Sequence, residues 1–142
     1  MPVSRALKRL LGVRELEEEQ YRVALTSAIN ERTRLRKALQ LAADRARRGR
    51  ALITHSVGSG ELYDRLAGLE EVRGAHLLKD VLRERIVTAE KQVTEDRENY
   101  LSSRMGRRQV ETLIGKTNEK DIREGLRRSQ QEIDEWFRSR MQ

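Results

Sequence analysis

Cysteine is absent from the 142 residues, so disulfides and thiolate metal sites are excluded. Proline occurs once, at Pro2, so no ring breaks a helix further along. Aromatic residues make up 4%, with one Trp and one Phe, too few for an ordinary compact core. The two histidines, His55 and His76, form no H-x-x-x-H or H-E-x-x-H pattern. No apolar run approaches the length of about 20 residues that crosses a bilayer. Residues 3–13 imitate a short signal segment, but Arg5, Lys8 and Arg9 interrupt it and no small-residue cleavage site follows. The expectation is a soluble, cytoplasmic chain with no direct membrane insertion.

What the chain has instead is charge, at 37%, equal to its apolar fraction. High charge, good helix formers and almost no proline point to long exposed helices. Disorder would explain the same polarity, but the apolar residues are periodic rather than scattered. The net charge of +7 would suit nucleic acid, an anionic surface or an acidic protein. Acidic and basic residues alternate along most of the chain, which favours solvated helix faces and disfavours nucleic acid.

The periodicity is a 4-3 repeat. From Leu7 it runs through Leu11, Arg14, Glu18, Tyr21, Leu25, Ala28, Arg32, Leu35, Leu39, Ala42 and Ala46, and nine of these twelve are apolar. A strict repeat of this length is a coiled-coil seam. Ser4 can cap this first helix, which should start near Val3, with Pro2 tolerated at its start. Arg45, Arg47, Arg48 and Arg50 crowd its end, where they complement the helix dipole. Turn residues cluster only at 54–60 (THSVGSG), which predicts a chain reversal there.

After the turn, with Ser59 as a cap, Leu62, Leu66, Leu69, Val72 and His76 fall at helical spacing. They read either as the last turns of the seam or as an apolar docking patch at the hairpin tip. From Leu82 the seam returns through Ile86, Ala89, Val93, Asp96, Tyr100, Ser103, Arg107, Val110, Ile114 and Thr117, with seven of eleven apolar. The frame then slips by one residue to Ile122, Leu126, Ser129, Ile133 and Trp136. The predicted architecture is all-α: a single 1–142 antiparallel two-helix coiled-coil hairpin. Helix 1 covers about 3–52, the turn about 53–60, and the longer helix 2 about 61–140. Antiparallel pairing would put Pro2 opposite Gln109. At about 1.5 Å per residue, helix 2 should outrun helix 1 by about 30 residues. That overhang carries an apolar stripe ending in Trp136 and Phe137, expected to seek another chain.

No motif supports catalysis, and no cofactor, metal or catalytic residue is expected. Residues 113–117 (LIGKT) imitate the tail of a phosphate-binding loop, but Val110 stands where the motif needs glycine and no strand precedes it. Glu15, Glu17, Glu18 and Glu19 form a solvated acidic cluster. His55 and Ser56 are neighbours without being a catalytic pair.

Three segments carry a family resemblance: residues 7–20 (LKRLLGVRELEEEQ), 107–113 (RRQVETL) and 128–136 (RSQQEIDEW). In their order and spacing they resemble the FliJ family of the flagellar type III export apparatus. The resemblance implies a coiled-coil stalk that sits in the hexameric export ATPase, couples it to the membrane export gate and escorts export chaperones. It implies a cytoplasmic place, peripheral to the inner-membrane export apparatus. Carried onto this chain, it makes Leu62, Leu66, Leu69, Val72 and His76 candidates for gate docking. Ile133, Asp134, Trp136 and Phe137 become candidates for the ATPase end. Injectisome stalk proteins share the plan and are the alternative. A basic coiled coil binding nucleic acid through Arg45–Arg50, Arg104–Arg108 and Arg127–Arg128 is the rival from another class, and a homodimeric scaffold is a third reading.

Overall fold

The computed structural model describes residues 4–141, and among them there are two helices and no strand: α1, Arg5–Ser59, and α2, Leu62–Met141. The expected start near Val3, and Pro2 with its expected pairing to Gln109, lie outside the described residues. Ser4 caps α1 as its sequence position predicts: its Oγ accepts from the Leu7 N–H at 3.2 Å, and its carbonyl from Lys8.

The reversal is shorter and later than the expected turn over 53–60. Helix α1 runs through this stretch to Ser59, and only Gly60 and Glu61 separate it from α2. Residues 53–59 are helical because the seam continues there: its 4-3 steps lead from Ala46 to Gly49, Ile53 and Ser56, all buried or half-buried. Thr54 and Ser56 are accommodated by turning their hydroxyls back onto the helix, donating to the Arg50 carbonyl at 3.0 Å and the Ile53 carbonyl at 2.6 Å. Gly60 then ends the helix with φ of 75°, and its N–H reaches the Ser56 carbonyl at 2.7 Å. This is a left-handed C-terminal cap, which glycine adopts without steric cost. Ser59 closes the turn by accepting from the Glu61 N–H at 3.4 Å.

The chain forms two compact units. The first is Val23–Glu98, the turn with its flanking arms. Its arms are antiparallel, since Arg45 meets Glu71 and Arg36 meets Glu90, higher numbers on α2 pairing with lower ones on α1. Leu35, Ala42, Leu82 and Ala89 form the core, with Ala38, Leu39 and Ile86 against it. Toward the turn the seam residues shrink to Ala46, Gly49, Gly68 and Ala75, all buried. Small side chains let the backbones approach closely: a Cβ added at Gly68 would stand 2.6 Å from the Gly49 carbonyl oxygen. Gly68 therefore serves helix packing.

The second unit comprises the described residues of Met1–Arg22 and Asn99–Gln142. Here the two helices meet through Glu18 on Arg107 and Arg14 beside Gly106. Ser103 and Val110 are buried, and Leu7, Leu11, Ile114 and Thr117 half-buried. The seam keeps its frame as far as half-buried Glu124, then every residue from Gly125 to Met141 is exposed. The uncovered tail is thus nearer half the expected 30 residues. The later turn shifts the register, so that Arg14 rather than a residue nearer the start of α1 lies by Gly106.

Candidate functional site

The seam decides which apolar residues remain for partners. Of the five residues expected at the tip, the structure puts Val72 on the seam side, half-buried, where its Cγ2 lies 2.9 Å from the position of a Cβ added at Gly49. Leu62, Leu66, Leu69 and His76 face away, with the three leucines 64%, 54% and 50% exposed. Leu66 and Leu69 share a surface concavity with Tyr63, Ala67, Glu70 and Arg73. Tyr63, 88% exposed, escaped the sequence reading because a repeat of three and four steps from Leu62 passes beside it. Leu77 and Val81 are exposed further along α2 and were missed for the same reason. An apolar row this long, on a helix whose other side is already packed, gains by burial and offers no reactive group.

The tail supplies a second surface. Ile133, Trp136 and Phe137 are exposed and line a shallow concavity with Ser129 and Glu132. The Trp136 and Phe137 rings meet edge to face at 5.2 Å, and the Arg140 guanidinium lies 4.5 Å from the Trp136 ring centre. At an exposed ring such a cation–π contact contributes about 0.5–1 kcal/mol. Asp134 is bound to Gln130, whose amide donates at 3.1 Å. None of these residues is covered by α1, so the tail is a single helix here.

Ion pairs interrupt the basic segments of the nucleic-acid reading. Arg45 donates to Glu71 at 2.7 Å, and Arg47 lies 3.6 Å from Asp44. Arg107 is held between Glu18 and Glu111. The hydrogen bond from Arg45 holds the Glu71 carboxyl below its ordinary range and raises the guanidinium. Arg22 and Arg34 act in the same way on Glu19 and Glu31. Arg45, Arg47 and Arg107 of the nucleic-acid reading are therefore held in ion pairs within the chain. Among the described residues no cluster of three or more His, Asp or Glu could hold a metal ion, and no helix is long and apolar enough to cross a membrane.

A two-helix seam with unpaired apolar rows fits many coiled coils, and the sequence profile distinguishes among them. The profile described as "Flagellar FliJ protein" matches residues 4–142, essentially the whole chain. The chain belongs to the FliJ family. No curated protein and no solved structure matches it. FliJ membership makes it a component of flagellar type III export, in a family of structural export components rather than known enzymes.

Proposed function

We propose that this chain is a stalk of the flagellar export machinery. On this reading it sits within the hexameric export ATPase, couples it to the export gate and escorts export chaperones. It works in the cytoplasm, peripheral to the inner membrane. The observation that carries the proposal is the division of its surface: packed helices bearing many exposed charges, with apolar rows left over at the turn and at the tail. Exposed charges make contacts worth about 0–1 kcal/mol each. Many such contacts hold a stalk in a ring while letting it turn or tilt, where one deep contact would jam it. The coupling is then differential binding to conformational states of the ATPase.

The apolar row by the turn, Leu62, Leu66, Leu69 and His76, is the gate-docking surface in this proposal. Ile133, Asp134, Trp136 and Phe137 form the ATPase end. The test is a pull-down of purified ATPase subunit and gate protein by this chain, with Leu66→Ala/Leu69→Ala and Ile133→Ala/Trp136→Ala variants. The first variant should lose the gate protein and keep the ATPase, and the second should do the reverse. Equal capture by both variants would refute the assignment of surfaces. Capture of neither protein by the native chain would refute the stalk reading.

A further inference from the structure

The seam is packed differently in the two units. In the Val23–Glu98 unit α1 contributes Leu35, Ala42, Ala46, Gly49 and Ser56, all buried. In the other unit every described residue of α1 up to Arg22 is exposed or half-buried, and burial on the described part of α2 is limited to Ser103 and Val110. Seam positions there are taken by Arg14 and Glu18 on α1 and by Ser103 and Arg107 on α2. The Arg14 Nε–H is enclosed without a hydrogen-bond partner, a group that water would satisfy if the helices parted. Arg32 Nε is in the same state in the Val23–Glu98 unit, but Leu35, one turn along, is buried there.

The charged groups of this loose seam also have partners on their own helix. Arg107 pairs with Glu18 across the helices and with Glu111 on α2 at 2.7 Å. Arg14 bonds Glu17 at 3.1 Å within α1. Parting the helices therefore breaks the Glu18–Arg107 pair, yet leaves neither Arg14 nor Arg107 without a carboxylate. The apolar surface newly given to water is small: Val110, together with Leu7, Leu11 and Ile114, which are only half-buried when paired.

We infer that α1 up to Arg22 is a clasp. It leaves α2 as one unit while the Val23–Glu98 arms stay paired, and the Glu18–Arg107 pair is its latch. The released segment is a single helix, marginal by itself, so its amides exchange readily. Opening uncovers Val110 and Ile114 on α2, surface that α1 otherwise withholds from any partner. The step is a property of this chain alone and does not depend on the ATPase or the gate.

Hydrogen exchange of the native chain, followed by mass spectrometry, is the test. Residues 7–20 should exchange at least a hundredfold faster than residues 35–49, with one common protection across the segment. Protection that rises steadily from Arg5 inward would be ordinary end fraying, and equal protection of both segments would be a hairpin that opens as a whole. Either result would overturn the inference. Two variants read the latch. Glu18→Gln should speed exchange of residues 7–20 at least threefold and leave residues 35–49 unchanged. Glu18→Leu/Arg107→Leu, which makes the layer apolar, should slow exchange of residues 7–20 at least tenfold, because a packed apolar pair holds a seam better than a half-buried ionic one. Exchange of residues 7–20 unmoved by both variants, or a response shared equally by residues 35–49, would likewise overturn it.

Discussion

Substituting alanine for glycine in a helix normally stabilises it, and this chain should show both that rule and its reversal. At Gly12, within α1, a Cβ would meet nothing within 4 Å. Gly12→Ala should therefore gain the full helix-propensity difference of about 1 kcal/mol. At Gly68 the same Cβ would lie 2.6 Å from the Gly49 carbonyl oxygen, 2.8 Å from Ile53 Cγ1 and 3.1 Å from the Ile53 nitrogen. Two of these three are backbone atoms, so relief requires the helices to part. Overpacking of this kind costs about 1–3 kcal/mol, which offsets the propensity gain and leaves a net loss of about 0–2 kcal/mol. The two variants should thus differ by about 1–3 kcal/mol, or several degrees in melting temperature at about 2–4 °C per kcal/mol. Thermal unfolding followed by circular dichroism at matched concentration is the assay. Gly12→Ala should melt above the native chain, and Gly68→Ala at or below it. A Gly68→Ala chain as stabilised as Gly12→Ala would refute close approach of the helices at Gly49 and Gly68.

Leu35→Ala, at a buried position in the core of Val23–Glu98, should cost about 2–5 kcal/mol, measured by urea unfolding. Arg107→Met should lower the melting temperature more than Arg34→Met, because Arg107 serves carboxylates on both helices and Arg34 only its neighbour Glu31. The lowered Glu19, Glu31 and Glu71 carboxyls add stability that is complete above the ordinary carboxylate range and lost as pH falls through their own lower values. Melting temperature should therefore hold down to about pH 5 and decline below about pH 4, and Glu71→Gln should flatten part of that decline. Affinity for the export ATPase should fall clearly as salt rises, measured by titration at two ionic strengths. Salt-independent affinity would assign the attachment to the apolar tail.

Both helices and their seam were legible in the sequence because a coiled coil writes its contacts into a fixed spacing. Every α2 position in the repeat from Leu82 to Thr117 is buried or half-buried. Charged Arg14, Glu18 and Arg32 keep their places in the α1 repeat, since long side chains lay their stems along a seam. The turn was displaced because composition and spacing disagreed there. Thr54, Ser56 and Gly58 read as breakers one by one, while the repeat carried on through Gly49, Ile53 and Ser56. Gly49 and Gly68 were illegible as a pair, because the register that brings them together is set by the turn. The tip was half legible for the same reason. Helical spacing groups Leu62, Leu66, Leu69 and Val72, but only the register shows that Val72 faces α1 and the leucines do not.

The register itself is the central claim, and the cysteine-free chain allows it to be measured directly. Spin labels at Arg36→Cys and Glu90→Cys replace a pair whose guanidinium nitrogen and carboxylate oxygen lie 3.0 Å apart. Pulsed electron resonance should give one narrow distance distribution centred below about 20 Å, the range left by two label linkers on adjacent helices about 8–10 Å apart. A broad distribution, or one centred well beyond that range, would contradict the antiparallel pairing of α1 with α2.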